Sequence, residues 1–205
     1  MQIRHGVIQV LAVMLFCAVS VPALADIGLK NDMAVGASIG FGGATPPMTK
    51  TDGGFNLAIE PMIQYFPAEN VSVWARLLWE RTFASTGGKS LSVDTYPILV
   101  GARYYFTTEA DPLLKPFLGL GLGMSVIDFS GAVNSRRNAR FAMDIQGGFV
   151  YEVMPNLAFD CAFDIFLPNI SPLRSYIRKV GKKKLDEKVM GRFLIMAGIQ
   201  YYFPL

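Results

Sequence analysis

The chain has 205 residues, 52% hydrophobic and 17% charged, with 19 basic residues against 16 acidic ones. A net charge of +3 implies no nucleic-acid partner. Past residue 25 no run of eighteen apolar residues occurs, which argues against a bilayer-spanning helix as the source of the hydrophobicity.

The N-terminus reads as a cleavable secretory signal over residues 1–25. Arg4 supplies the positive start, Val7 to Val19 is apolar but for Gln9 and a few small residues, and Ala23-Leu24-Ala25 has the small-x-small form a signal peptidase cuts. The apolar run is short for a membrane anchor. Phe16 is too bulky for a lipoprotein signal around Cys17, so Cys17 leaves with the signal. The mature chain of 180 residues (205 less 25) is compatible with one domain, 26–205. It keeps a single cysteine, Cys161, so no intramolecular disulfide forms, and it loses the one histidine, His5. Loss of Arg4 brings the charge from +3 to +2.

The mature sequence reads as eight strands, each with two unlike faces. Strand one, about 33–41, sets Val35, Ala37, Ile39 and Phe41 against Gly36, Ser38 and Gly40. Residues 42–54 are turn chemistry and predict a loop. Strand two, about 55–66, sets Phe55, Leu57, Ile59, Ile63 and Tyr65 against Asn56, Glu60, Met62, Gln64 and Phe66; its Pro61 weakens a central-strand assignment. Strand three, about 71–84, sets Val71, Val73, Ala75, Leu77, Trp79 and Phe83 against Ser72, Arg76, Glu80 and Thr82. A hairpin at 85–90 leads to strand four, about 91–106, ending Gly101-Ala102-Arg103-Tyr104-Tyr105-Phe106. Strand five, about 115–129, sets Leu118, Leu120, Leu122, Met124 and Val126 against Gly119, Gly121, Gly123 and Ser125. Strand six, about 139–152, sets Phe141, Met143, Ile145, Phe149 and Tyr151 against Arg140, Asp144, Gln146 and Glu152. Strand seven, about 157–167, sets Phe159, Cys161, Phe163 and Ile165 against Asp160 and Asp164. A loop at 168–188 precedes strand eight, 189–203, which sets Phe193, Ile195, Ala197, Ile199 and Tyr201 against Arg192, Gln200 and Tyr202.

Short linkers (67–70, 107–114, 153–156) alternate with mostly longer, polar ones (42–54, 130–138, 168–188). Aromatics end the strands beside the short linkers: Tyr65-Phe66, Tyr104-Tyr105-Phe106, Tyr151 and Tyr201-Tyr202-Phe203. Up-and-down order brings these ends to one rim and predicts an interfacial aromatic girdle. The fold expected is therefore all-β: an eight-stranded antiparallel up-and-down transmembrane barrel, closed so that every backbone group is paired in lipid. Glu60, Arg76, Glu80, Arg103, Arg140, Asp144, Asp160, Asp164 and Arg192 share the non-lipid register and predict an interior charge network, with the strand-five glycines leaving room for the arginines.

At this point the sequence resembles the bacterial outer-membrane β-barrel family of OmpA-like and OmpX-like eight-stranded proteins. The residues carrying the resemblance are Ala23-Leu24-Ala25, Lys115-Pro116-Phe117-Leu118-Gly119-Leu120-Gly121-Leu122-Gly123 and the two Gly-x-x-Tyr-Tyr-Phe strand ends. It implies a place in the outer membrane among its lipids and lipopolysaccharide, a monomer, and a last strand read by the barrel-assembly machinery; here Pro204 and Leu205 follow Phe203, where that family ends in phenylalanine. No peptidoglycan-binding domain is expected after the barrel.

Enzyme chemistry finds little to build on. Hydrolytic barrels of this kind generally use a histidine base, which the mature chain lacks. Asp160 and Asp164 read better as salt-bridge partners than as an acid pair or cation site, Cys161 falls on the lipid register, and no helix pattern follows Gly119-x-Gly121-x-Gly123 to make a phosphate loop. No cofactor or metal is expected. The sharpest local feature is basic: Arg174, Arg178, Lys179, Lys182, Lys183 and Lys184 within the 168–188 loop. That loop either binds phosphates of lipopolysaccharide or an acidic polymer, or serves as a solvated rim. The role expected is structural or surface-interactive, covering envelope integrity, adhesion or lipopolysaccharide contact; the alternative is a narrow channel for small or amphipathic solutes.

Overall fold

The computed structural model describes residues 30–44, 54–86, 89–106, 113–130, 138–167, 177–180, 183–186 and 191–204. The expected signal over 1–25 lies outside them. Every regular element among them is a strand: β1 (Asp32–Ala44), β2 (Gly54–Ala68), β3 (Val71–Leu77), β4 (Trp79–Thr86), β5 (Lys89–Tyr105), β6 (Leu114–Ser130), β7 (Asn138–Met154), β8 (Leu157–Leu167), β9 (Ile177–Val180), β10 (Lys183–Asp186) and β11 (Arg192–Pro204). All pairings are antiparallel.

β3 and β4 are two segments of one barrel strand, because both lie between β2 and β5 and the register continues across the break between them. The interruption falls at Leu78, where two neighbours lack a backbone donor. Pro61 of β2 stands across from Ala37 of β1 and next to the break, and Pro97 of β5 accepts the Leu78 N–H at 3.0 Å. Pro61 thus sits inside a strand paired on both sides, contrary to the edge position a strand proline suggests. Closure removes the alternatives: eight strands joined edge to edge leave no free edge to host it.

The seam between β1 and β11 closes the barrel over 13 residue pairs, from Asp32 facing Pro204 to Ala44 facing Arg192. Pro204 therefore belongs to the last strand. Strands run a few residues past the expected limits at several ends, β1 reaching Ala44 and β7 reaching Met154. Asn156 holds φ at 66° in the tight turn before β8, a left-handed conformation that asparagine tolerates.

Burial follows the alternation. In β2 residues 55, 57, 59, 61 and 63 are exposed, and residues 56, 58, 60, 62, 64 and 66 are buried. The outward set forms an apolar wall, with Ile39, Ile98, Leu118, Met124 and Ile199 more than half exposed. A water-facing surface of that extent has no stable solution, whereas a hydrocarbon-facing one does. Barrel strands of 11 to 17 residues exceed the roughly 9–11 needed to span a tilted path through a bilayer.

The aromatic strand ends divide between the two faces. Tyr104, Phe106 and Tyr151 are exposed and Tyr65, Tyr201 and Phe203 half-buried, as a girdle requires. Phe66, Tyr105 and Tyr202 are 1–3% exposed and point inward, where they meet Phe117. Ring centroids lie 5.6 Å apart for Phe66–Tyr105, 5.8 Å for Phe66–Tyr202 and 5.6 Å for Tyr105–Phe117. Neighbouring strand residues face opposite ways, so one Tyr-Tyr-Phe end supplies girdle and plug together.

The 168–188 segment is not wholly loop: β9 and β10 pair with each other as a separate two-stranded hairpin, outside the barrel ladder.

Candidate functional site

Of the nine charged residues expected inside, eight are at most 3% exposed: Glu60, Arg76, Glu80, Arg103, Asp144, Asp160, Asp164 and Arg192. Arg140 shares their register but is half-buried, facing Ser125 at the long-linker end. Charges at that depth persist only when paired, since an isolated one would cost several kcal/mol.

The pairs come in three layers. Next to the aromatic plug, the Tyr105 and Ser72 hydroxyls each donate to Gln64 Oε1 at 2.9 Å. Gln64 Nε2 donates in turn to Gln200 Oε1 at 2.8 Å, which also accepts from the Tyr202 hydroxyl at 2.7 Å. Gln200 Nε2 donates to Asp160, and Arg103 Nη1 donates to the same carboxylate at 2.8 Å while its Nε donates to Gln146 at 2.8 Å. The Arg103 guanidinium lies 4.2 Å from the Phe117 ring centre, so the network rests directly on the plug.

Above it, Arg76 gathers three carboxylates: Glu60 at 2.7 Å, Asp164 at 2.8 Å and Asp144 at 2.6 Å. Beside it the Trp74 ring lies against Gly101 and Gly121, where an added Cβ would run into the indole. The strand-five glycines therefore do not all serve arginines: Gly119 gives space to Arg103, whereas Gly121 gives it to Trp74. The third layer, nearest the long linkers, joins Arg192 to Glu80 and, at 2.8 Å, to Thr95.

Sequence reasoning put Gln64, Ser72, Gln200 and Tyr202 on the inward register but gave them no part in the network, and it missed Thr95 and the Tyr105 hydroxyl. Their inward register was the available signal. It also missed one ion pair on the outward register. Arg81 grips Asp94 with two parallel bonds, Nε–Oδ1 at 2.7 Å and Nη2–Oδ2 at 2.9 Å, and lies 5.5 Å from the Trp79 ring centre. This pair stands toward the long-linker end, where a tryptophan and a half-exposed arginine suit the edge of an apolar belt.

The basic segment is the second candidate. Arg178 and Lys179 lie on β9, and Lys183 and Lys184 on β10; Arg174 and Lys182 fall outside the described residues. The hairpin register places Lys184 directly across from Lys179 and Lys183 across from Val180. Among the described residues no group of three or more histidine, cysteine or acidic side chains has the arrangement of a metal site.

Residues 10–171 match the outer membrane protein beta-barrel domain family. No curated protein sequence matches. Solved structures share the fold at low identity. Neisserial surface protein A has a TM-score of 0.61 at 17% identity, covering 83% of this chain and 97% of its own. OprG from Pseudomonas aeruginosa has 0.57 at 12%, covering 86% and 98%. Ail, the attachment invasion locus protein of Yersinia pestis, has 0.53 at 13% in its complex with the heparin analogue sucrose octasulfate, covering 85% and 100%.

Proposed function

The chain belongs to the outer membrane protein β-barrel domain family, a multi-pass barrel of the Gram-negative outer membrane, and from that premise we propose that it is a non-enzymatic, closed barrel that presents a basic hairpin to polyanions at the cell surface. Barrels of this kind keep short turns in the periplasm and long loops outside. That orientation puts β9 and β10 outside the cell, beside the phosphates of lipopolysaccharide.

The observation that carries the reading is the register of the hairpin. Lys179 and Lys184 face each other, with Arg178 and Lys183 one position away on each strand. A row of basic residues in that register suits an anionic polymer, which takes charge-assisted hydrogen bonds from lysine and arginine. Ail was crystallised with a sulfated heparin analogue; a basic hairpin on this chain answers to the same class of ligand. The lumen supports the closed state over the channel alternative, because the aromatic plug and the Arg103–Asp160 layer fill its periplasmic end.

The test is binding of lipopolysaccharide and of heparin to the folded barrel in vesicles. Lys179→Glu with Lys184→Glu lowers affinity by at least about tenfold, and the loss shrinks as salt rises because the attraction is screened. Unchanged binding of both polymers refutes the assignment.

A further inference from the structure

The outward wall is not uniformly convex. A groove of about 720 Å³ runs along it over β2, β3, β5 and β6. Its volume lies within the roughly 300–1,000 Å³ of ordinary small-molecule sites. Its floor is low because small residues meet there: Ala102 faces Val73, Ala75 faces Val100, and Gly101 lies between with Trp74 on its lumen side. Ile63, Leu120 and Leu122 build the walls. Met33 and Tyr65 line its short-turn end, where they face each other across β1 and β2.

We propose that this groove holds one acyl chain of a glycerophospholipid of the periplasmic leaflet, with the headgroup phosphate at Lys30. Three observations select that occupant. The groove lies within the apolar wall that already faces hydrocarbon, so a chain enters it without crossing polar surface. The backbone groups beneath it are spent in the barrel ladder, so a peptide laid there would have its own N–H and C=O groups unpaired. A second copy of this chain would meet the concave face with the same concave face in a two-fold dimer, and two hollows do not complement one another. At the rim the Tyr65 hydroxyl donates to Asn31 Oδ1 at 3.3 Å, and the neighbouring Lys30 is exposed. A cation at that level attracts the phosphate of a lipid whose tail lies in the groove.

The experiment is native mass spectrometry of the folded full-length barrel in micelles, titrated with dipalmitoyl phosphatidylglycerol. The expected result is one retained lipid per barrel. Filling the floor with Ala75→Leu and Ala102→Leu lowers retention by about tenfold, and Lys30→Glu lowers it by about fivefold. Both alanines face outward, and the heat-dependent gel shift of a folded barrel verifies that the variants have formed. A second readout needs no change to the groove. In the Trp79→Phe protein, Trp74 fluorescence is quenched by phosphatidylglycerol brominated on its acyl chains, and quenching saturates at a low mole fraction because the site is specific. Equal lipid retention by the filled variant overturns the proposal, as does quenching that rises linearly with brominated lipid. A dimer lost on filling the floor overturns it too, by giving the groove to a second copy.

Discussion

The two ends of the lumen are both polar and both buried, yet they are built differently. In the periplasmic layer, Gln64, Ser72, Arg103, Tyr105, Asp160, Gln200 and Tyr202 spend their polar atoms on one another in a continuous relay. In the outer layer, Asn56, Thr82 and Ser125 are fully buried, and their side-chain polar atoms have no protein partner; Arg192 Nε and Nη2 are likewise unpaired. The difference separates a periplasmic layer tied by side-chain hydrogen bonds from an outer layer with fewer such ties, toward the long loops. It also separates side chains that hold the barrel together from side chains that merely line it.

The largest effect falls on the tied layer. Arg103→Met removes the counter-charge of Asp160 and the donor to Gln146, while keeping a long apolar side chain over Phe117. A buried carboxylate left alone costs about 3–5 kcal/mol. Urea titration of the folded fraction in vesicles is expected to show a loss of that size. A loss below 1 kcal/mol would mean that water reaches Asp160, and the contrast between the two layers would be gone.

How much of this was legible in the sequence follows from what alternation can and cannot say. A period of two assigns each residue to a face, and that suffices for the barrel, its closure and the inward charges. It does not say which arginine meets which carboxylate. Arg76 and Asp164 are 88 residues apart, and Arg192 and Glu80 are 112 apart. Their meeting depends on the stagger of eight strands around the closed sheet, which no local pattern encodes. The inward half of the aromatic ends was legible but obscured by grouping Tyr201, Tyr202 and Phe203 together: the alternation that puts Gln200 inside also puts Tyr202 there. Arg81 and Asp94 went unread for a related reason. Alternation places them on the apolar face, and only their height on the barrel explains how charges stay there. The β9–β10 hairpin is four residues a side and rich in lysine, too short and too polar for a periodic signal.

An intermediate effect tests the join between the layers. Trp74 lies across Gly101 and Gly121, on strands adjacent to each other. Gly121→Ala puts a methyl group into the indole, so the ring must shift, and Arg76, whose guanidinium lies 5.0 Å from its centre, packs against it. Overpacking of this kind costs about 1–3 kcal/mol. The pair Gly121→Ala with Trp74→Leu recovers most of the loss if the indole is the obstacle, and urea titration of the two proteins measures it. Equal losses with and without Trp74 would place the strain in the backbone instead.

The smallest effect is the sharpest test of the outer layer. Thr82 is completely buried, and its hydroxyl has no partner in the protein. Thr82→Val keeps the shape and removes the hydroxyl. In a tied layer such a change leaves the former partner unsatisfied, at about 1–3 kcal/mol. Here no protein group loses a partner, so the change in stability stays within about 0.5 kcal/mol and can be favourable. The matched experiment in the periplasmic layer is Ser72→Ala, which takes from Gln64 one of its two hydroxyl donors and leaves the Tyr105 hydroxyl in place. It is expected to cost more than Thr82→Val by about 0.5–1.5 kcal/mol, the net worth of one hydrogen bond. If the two substitutions cost the same, the outer layer is tied as firmly as the inner one, and its polar side chains hold the barrel together too.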